Sequence, residues 1–285
     1  MNNMELKNLQ IYSGAGNDFV MVNNLDGSVP FDKQTAVTLQ LCNENYKKVD
    51  GVIFVDKSSL PDAHVKMNYY NRDGSFGAMC GNGARCTFMY VYKNGIITQK
   101  NLTIEAVNNL YPSVITSDDT VKVFFPLPRQ VSTGIPIKIE LGSGLKDLEV
   151  SYVNVGSDHA VVLIDDRVNK DTLGVSTLDD LNIDYTGKIL RYHNKFHPQG
   201  VNANFVTILS DNEIRVRTYE RGVERETLAC GTGIVSSAII ACIRQKVFPP
   251  VRVLSEGNEW LTVDFKIEND EIIALSLEGS ARRIG

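Results

Sequence analysis

Residues 70–86 read Tyr-Asn-Arg-Asp-Gly-Ser-Phe-Gly-Ala-Met-Cys-Gly-Asn-Gly-Ala-Arg-Cys, and residues 219–233 read Tyr-Glu-Arg-Gly-Val-Glu-Arg-Glu-Thr-Leu-Ala-Cys-Gly-Thr-Gly. Each copy runs from an alternating, strand-like segment through Tyr-x-Arg and a polar loop to Cys-Gly-x-Gly, and then into an apolar stretch long enough for a helix. The spacing from tyrosine to cysteine differs by a single residue between the copies. We infer an internal duplication, with one strand–loop–cysteine–helix unit in each half.

The cysteine of each copy, Cys80 or Cys230, precedes a predicted helix. Unpaired backbone N–H groups and the positive end of the helix dipole meet at that position, and both stabilise a thiolate. The same N–H groups can bind a carboxylate, and the glycines let the backbone approach it. A lone cysteine at a helix start is more often a packing residue. Two matched copies instead favour a catalytic pair, in which the two sulfurs remove a proton from a carbon atom of a bound anion and return one to it.

The composition narrows the class of protein. With 285 residues, of which 43% are hydrophobic and 22% charged, the chain has enough apolar residues for one large or two ordinary globular domains. The net charge of −5 and the absence of a Lys/Arg run argue against a nucleic-acid partner. The polar N-terminus lacks a signal-peptide core, and no stretch approaches the roughly 20 apolar residues that a membrane span needs. We therefore predict a cytoplasmic protein without a membrane partner.

The cysteines and histidines do not predict a metal site or a disulfide framework. The cysteines number five, an odd count, and none of them forms a C-x-x-C pair. His193 and His197 have the i, i+4 spacing of a metal pair, but Pro198-Gln-Gly200 follows them and favours a surface loop. We predict that the protein binds no metal.

The hydrophobic pattern predicts an α+β fold. Short runs typical of strands occur in both halves, whereas helical stretches are predicted at Asp32–Cys42, Ala84–Lys93 and 233–246. The proline-rich segment from Pro126 to Pro136 is the strongest boundary signal. The regular strand–helix alternation of a doubly wound sheet is missing. We predict two similar domains, each a mostly antiparallel sheet wrapped around one central helix.

Further polar residues lie at strand ends or in loops near the two cysteines. A guanidinium at the end of a strand can bind a substrate carboxylate, and a neighbouring glutamate can hold an ammonium group. Each of these residues also has an ordinary structural interpretation, as a turn-former, a strand cap or a solvated ion pair. The candidates are Asn17, Asn71, His159, Asn202, Glu220 and Arg221.

Taken together, the motifs resemble the diaminopimelate epimerase family. They are Gly-x-Gly-Asn-Asp-Phe near the start, Asn-x-Asp-Gly-Ser with Cys-Gly-Asn-Gly-Ala-Arg-Cys, and Tyr-Glu-Arg-Gly with Glu-Thr-x-Ala-Cys-Gly-Thr-Gly. The resemblance implies two pseudo-symmetric domains with the active site in the cleft between them, a homodimer, and catalysis without pyridoxal phosphate or another cofactor. The implied domains are residues 1–127, joined by a C-terminal strand at about 276–285, and residues 128–275.

The resemblance also implies roles for individual residues. Cys80 and Cys230 would be the two acid/base groups, one removing the α-proton as thiolate and the other reprotonating the opposite face as thiol. Backbone N–H groups around Gly81-Asn82 and Gly231-Thr232 would hold the reacting carboxylate. His159 and Glu220 would support the cysteines. The residues at substrate-contacting positions are Asn17, Asn71, Ser157, Asn202, Glu220 and Arg221.

One departure from the family pattern concerns the choice of substrate. The family usually has Gly-Asn-Pro-His where this chain has Gly156-Ser-Asp-His159, so Ser157 stands at a substrate-binding asparagine and Asp158 adds negative charge nearby. The first hypothesis is an isomerase that converts LL-diaminopimelate to the meso form in lysine and peptidoglycan precursor synthesis. The second is a racemase of another amino acid, such as histidine. The third is a binding protein without catalysis, which would need neither sulfur.

Overall fold

A computed structural model of the chain describes residues 9–77, 79–142, 144–269 and 271–285. The chain divides into two compact units. The first unit extends to Phe124 and also takes in Glu278–Gly285, and the second unit is Phe125–Leu277. Among the described residues, none of the helices has the length and apolar composition that crossing a bilayer requires.

The first unit is built on one mixed sheet. Its strands are β1 (Gln10–Gly14), β2 (Asn17–Asn23), β3 (Gly51–Asp56), β4 (Val65–Asn71), β5 (Asn101–Ala106), β6 (Asn109–Ile115), β7 (Thr120–Phe124) and β17 (Arg282–Arg283). From β1 to β6 the neighbouring pairs are antiparallel, parallel, antiparallel, parallel and antiparallel. A helix fills each parallel crossover, as such connections usually require: α1 (Phe31–Gln40) joins β2 to β3, and α2 (Gly81–Lys93) joins β4 to β5.

Helix α2 is the core of the first unit. All residues from Gly81 to Val91 are buried, and the helix contacts every strand from β1 to β7. A helix that is buried on all sides needs no polar face, so the fully buried Arg85 stands out. The helix ends at Lys93; Asn94 is its C-cap, and Gly95 follows with a φ of 67°, a left-handed conformation that suits glycine.

The second unit repeats this plan. Its strands are β8 (Gln130–Leu141), β9 (Gly144–Asn154), β10 (Asp158–Leu163), β11 (Asn202–Ser210), β12 (Glu213–Glu220), β13 (Arg225–Thr227), β14 (Val251–Ser255) and β15 (Trp260–Glu268), and β16 (Glu271–Ser280) leads the chain back to the first unit. The pairs β9–β10, β10–β11, β11–β12, β12–β14 and β14–β15 are antiparallel, parallel, antiparallel, parallel and antiparallel. This is the order of the first unit.

The helices of the second unit also occupy the parallel crossovers. The connection from β10 to β11 contains α3 (Arg167–Leu173) and α4 (Ile183–Arg191), and the connection from β12 to β14 contains α5 (Gly231–Ile243). Helix α5 is buried along most of its length. The sequence did not predict α3 and α4. Asn182 caps α4 by accepting a hydrogen bond from the Tyr185 N–H, and Leu190 packs into the core of this unit.

Candidate active site

The two cysteines occupy the same local structure in their respective units. Cys80 is the residue before α2, with φ −108° and ψ 111°, and Cys230 is the residue before α5, with φ −108° and ψ 108°. The Gly83 N–H lies 3.3 Å from the Cys80 sulfur and donates to it. Each sulfur is therefore placed at a helix N-terminus, where a negative charge is stabilised.

A line of hydrogen bonds orients the amides beside Cys80. The buried Arg85 donates from Nη2 to Asn82 Oδ1 at 2.8 Å. Asn82 Nδ2 donates to Asn17 Oδ1 at 2.6 Å, and Asn17 Nδ2 lies 3.3 Å from Asp50 Oδ2. The structure thus brings the predicted residues Asn17 and Asn82 together next to Cys80. Arg85 and Asp50 hold them, and the sequence analysis assigned no role to either residue.

Close packing brings the β1–β2 turn against the first turn of α2. A β-carbon on Gly14 would lie 2.9 Å from the Asn82 carbonyl oxygen and 3.0 Å from the Cys86 sulfur. Cys86 is fully buried, and burial raises the pKa of its thiol. The second cysteine of the first motif is therefore a packing residue that stays protonated.

Asn71 lies at the end of β4, in the loop that leads toward Cys80. Its Oδ1 accepts a hydrogen bond from the Tyr69 hydroxyl at 2.7 Å, and its Nδ2 donates to Ser75 Oγ at 3.0 Å. The next residue, Arg72, donates to the carbonyl oxygens of Lys47 and Val49. These contacts fix the polar loop to the neighbouring segment of the first unit.

In the second unit, His159 lies at the start of β10 and is fully buried. Its Nδ1 is 3.1 Å from Asn204 Nδ2, and its Nε2 is 2.8 Å from Ser157 Oγ. Burial, together with the positive charge of Arg221, lowers the pKa of His159 to about 3. The imidazole is therefore neutral at physiological pH.

Asn204 is a buried residue that the sequence analysis did not single out. Its Nδ2 donates to the Ala160 carbonyl oxygen at 3.0 Å, and its Oδ1 accepts from the Thr218 hydroxyl at 3.0 Å. A β-carbon on Gly233 would lie 2.3 Å from Asn204 Oδ1, so only glycine lets α5 approach this amide. A signal was present, because Asn202 and Asn204 alternate along an otherwise apolar strand and so share a face.

Ser157 connects His159 to the second cysteine motif. Besides its contact with the imidazole, its hydroxyl lies 3.2 Å from Thr232 Oγ1. Thr232 Oγ1 in turn lies 3.7 Å from the sulfur of Cys230, a residue only 6% exposed. Four of the predicted site residues are therefore linked by side-chain contacts within the second unit.

A second group of predicted residues surrounds Arg221. Its Nη1 is 3.1 Å from Asp158 Oδ2 and 3.2 Å from the Gly200 carbonyl oxygen, and its backbone N–H donates to Asn202 Oδ1 at 2.9 Å. Asn202 Nδ2 donates to the Asp158 carbonyl oxygen at 2.9 Å. Beside Arg221, at the end of β12, Glu220 Oε2 accepts from the Thr227 hydroxyl at 2.9 Å. Arg221, Asp158 and Asn202 are thus linked by direct hydrogen bonds.

The carboxylate of Asp158 is well compensated. Burial alone raises its pKa, but hydrogen bonds from Tyr152, Asn154 and Arg221 outweigh that effect and lower the pKa. The Tyr152 hydroxyl is 2.6 Å and Asn154 Nδ2 is 2.9 Å from Asp158 Oδ1. Asp158 is therefore ionised and forms an ion pair with the Arg221 guanidinium.

Burial acts in the same way on the other three cysteines, Cys42, Cys86 and Cys242. In each of them it raises the pKa of the thiol. Within the described ranges, no three His, Cys, Asp or Glu side chains are grouped so as to hold a metal ion. Because Cys80 and Cys230 each lie at the N-terminus of a buried helix, their sulfurs are placed for acid/base chemistry.

Solved structures of two amino-acid isomerases share this fold. A probable proline racemase from Agrobacterium radiobacter K84 aligns with a TM-score of 0.70 over 97% of this chain and 91% of its own, at 17% identity. A hydroxyproline epimerase from Agrobacterium vitis, with bound trans-4-hydroxy-L-proline, aligns with a TM-score of 0.70 over 97% of this chain and 89% of its own, at 16% identity. These likenesses confirm the predicted α+β fold class.

The sequence itself matches known proteins more closely. The family model described as diaminopimelate epimerase matches residues 9–125 and 151–284. The diaminopimelate epimerase of Aquifex aeolicus is 32% identical over 99% of this chain and 96% of its own. That of Chlorobaculum tepidum is 34% identical over 95% of this chain and 97% of its own. The chain belongs to the diaminopimelate epimerase family.

Proposed function

We propose that the protein is an isomerase that converts LL-2,6-diaminopimelate to meso-diaminopimelate without a cofactor. The observation that carries the proposal is the pair of cysteines, Cys80 and Cys230, which precede two buried helices with almost the same backbone angles. Family membership and the names of the relatives agree with this activity. The product fits a role in lysine and peptidoglycan precursor synthesis.

The proposed reaction moves one proton at the α-carbon by two bases. One cysteine, as thiolate, removes the α-proton, and the other, as thiol, delivers a proton to the opposite face of the same carbon. The negative charge that develops on the substrate carboxylate is stabilised by backbone N–H groups at the two helix N-termini, around Gly81-Asn82 and Gly231-Thr232. After turnover the two sulfurs have exchanged protonation states, which suits a reversible reaction.

The remaining residues bind and orient the distal end of the substrate in this proposal. Arg221 pairs with the distal carboxylate and Glu220 with the distal ammonium group. Asn17, Asn71 and Asn202 supply amide hydrogen bonds. Ser157, at a substrate-contacting position of the family, and the neutral His159 complete the side of the site next to Cys230.

We also propose the domain assignment and assembly that the resemblance implies. The two epimerase domains are residues 1–127 with about 276–285, and residues 128–275. The proposed assembly is a homodimer, and the proposed location is the cytoplasm, where amino-acid precursors are made.

A racemase of another amino acid is the second candidate, and one observation favours it. Asp158 already shares the guanidinium of Arg221, at 3.1 Å. A substrate with a distal carboxylate must compete with that carboxylate, whereas an amino acid without one, such as histidine, need not.

Exchange of the α-proton in D₂O, followed by NMR, tests both candidates. The panel contains LL-diaminopimelate, histidine, glutamate, aspartate and lysine, and the Cys80→Ala variant serves as control. Exchange with diaminopimelate alone supports the first candidate, and exchange with another amino acid supports the second. If no amino acid exchanges, the result contradicts the proposed function and favours a binding protein of this fold.

A further inference from the structure

A line of side-chain contacts in the second unit reaches from a buried histidine to the sulfur of Cys230. It runs from His159 Nε2 to Ser157 Oγ at 2.8 Å, from there to Thr232 Oγ1 at 3.2 Å, and on to Cys230 Sγ at 3.7 Å. A hydroxyl can donate or accept, so distances alone do not give the direction of these bonds. The direction is given by the hydrogen-bond partner of the other imidazole nitrogen, Nδ1.

Asn204 fixes which nitrogen of His159 carries the proton. Its amide orientation is set because Nδ2 donates to the Ala160 carbonyl oxygen and Oδ1 accepts from Thr218. The group that faces His159 Nδ1 at 3.1 Å is therefore the amide nitrogen, which can only donate. Nδ1 is the acceptor, and since the ring is neutral, its single proton lies on Nε2.

The direction of the remaining bonds follows from that proton. Nε2–H donates to Ser157 Oγ, which leaves the Ser157 hydrogen to point at Thr232 Oγ1. Thr232 Oγ1 accepts that bond, and its own hydrogen is then available to the Cys230 sulfur. A thiolate accepts such a hydrogen bond strongly, whereas the sulfur of a neutral thiol is only a weak acceptor.

We propose that Ser157 and Thr232 are positioning residues that pass the orientation of His159 to Cys230 and hold its sulfur in the thiolate form through one donated hydrogen bond. The inference rests on the proposed role of Cys230 as one of the two acid/base groups. It assigns Ser157 a task at the protein's own sulfur. A hydroxyl suits this task because one oxygen both accepts and donates.

Charged groups close to the imidazole are Asp158 and Arg221, which are paired with each other. Truncating the Ser157 or Thr232 hydroxyl removes no charge from this pair. A change in the ionisation of Cys230 in those variants therefore comes from the loss of the hydroxyl chain and not from a changed charge.

The test is the pH dependence of alkylation by iodoacetamide, with each cysteine followed by peptide mass spectrometry. The alkylation measurement needs no substrate. It can therefore contradict the proposed role of Ser157 and Thr232 while the exchange assay supports the proposed epimerase function, and the opposite combination can also occur. Ser157→Ala and Thr232→Val are each expected to raise the pH midpoint of Cys230 alkylation by about one unit, the scale expected for a lost hydrogen bond to a charged group. The midpoint of Cys80, in the other unit, is expected to stay unchanged in both variants.

Three further variants make the result decisive. Ser157→Thr keeps the hydroxyl and is expected to retain the original midpoint. Ser276→Ala, which removes a buried hydroxyl bonded to the Asp264 carbonyl oxygen, is expected to leave Cys230 unaffected. The double variant Ser157→Ala/Thr232→Val is expected to shift no further than either single variant, because both lie on one chain.

Two results would overturn the proposal. One is a shift of the Cys230 alkylation midpoint in Thr232→Val without a shift in Ser157→Ala. This would mean that Thr232 acts on Cys230 without Ser157 and His159. The other is an unchanged midpoint in Thr232→Val. Thr232→Val replaces one β-branched side chain with another of the same shape, so it decides the last link even if Ser157→Ala does not fold.

Discussion

Replacing Gly233 with alanine is expected to destabilise the protein and disturb the environment of His159. The new β-carbon would lie 2.3 Å from Asn204 Oδ1, a distance at which one of the two groups must move. Asn204 is fully buried and bonded to His159, Ala160 and Thr218, so it has no free direction in which to move. The clash therefore breaks hydrogen bonds or displaces the first turn of α5.

The duplication supplies a matched control in Gly83, which also stands three residues after its cysteine. A β-carbon on Gly83 would first meet Ile53 Cδ1 at 3.0 Å, the far end of a flexible side chain. Overpacking a core costs about 1–3 kcal/mol, and a lost hydrogen bond about 1 kcal/mol more. Alanine in a helix recovers up to about 1 kcal/mol relative to glycine. The net expectation is a loss of about 2 kcal/mol for Gly233→Ala and a change within about 0.5 kcal/mol for Gly83→Ala.

Urea unfolding of the two variants, followed by circular dichroism, measures this difference. Gly233→Ala is also expected to lower kcat in the exchange assay, because His159 and the chain to Cys230 lose their anchor. If Gly233→Ala unfolds at the same urea concentration as Gly83→Ala and the parent protein, the close approach between Gly233 and Asn204 does not constrain the second unit.

Three other predictions concern the thiols and carboxylates. Cys80→Ala and Cys230→Ala are each expected to lower kcat by roughly 100- to 10,000-fold while calorimetry still detects binding of a substrate analogue; near-normal turnover in either would exclude the two-base scheme. Burial raises the pKa of Glu105, but hydrogen bonds from Lys66 and two serines lower it to about 2. Because the folded-state pKa is below the unfolded value, the ionised carboxylate stabilises the folded protein by on the order of 3 kcal/mol above pH ~4.5. This stabilisation is lost as pH falls toward 2, and the free energy of unfolding of Glu105→Gln should not show that loss on acidification. Asp158→Asn is expected to lower KM for diaminopimelate about 3- to 10-fold at unchanged kcat, since the guanidinium is no longer shared; a higher KM would mean that Asp158 serves to orient it.

Local sequence predicted the parts of the fold whose causes are local. The helix predicted at Ala84–Lys93 is α2, which begins slightly earlier, at Gly81, because the Cys-Gly-x-Gly segment is itself the first helical turn. Alternation, turn residues and capping act over a few residues and can be read directly from the sequence.

The duplication could have predicted more than the local patterns did. A helix was expected at Asp32–Cys42, in the crossover from β2 to β3, so an equivalent helix was due in the crossover from β10 to β11. That crossover contains α3 and α4, which the sequence analysis missed. Helix α3 has seven residues, most of them polar, and so gives little periodic signal.

The alternation of Asn202 and Asn204 marks the position of Asn204, but the supporting roles of Arg85 and Asn204 depend on residues far away in the sequence. Arg85 orients Asn82 while also donating to the Ser280 carbonyl oxygen, which is 195 positions away in the chain. Asn204 acts through His159, which is 45 positions away. Contacts with distant segments form only when the chain folds, whereas the motif that contains each cysteine is complete within a few residues.

The two halves keep one backbone plan and differ in the polar groups around it. At Cys80, a buried guanidinium orients the amides of Asn82 and Asn17. At Cys230, a neutral imidazole orients two hydroxyls. A reversible epimerisation needs one thiolate and one thiol in each direction, so two sulfurs in unlike surroundings need not be charged to the same extent at rest. The alkylation midpoints of Cys80 and Cys230 in the parent protein are therefore expected to differ, and equal midpoints would mean that the different side chains around the cysteines have no net effect on them.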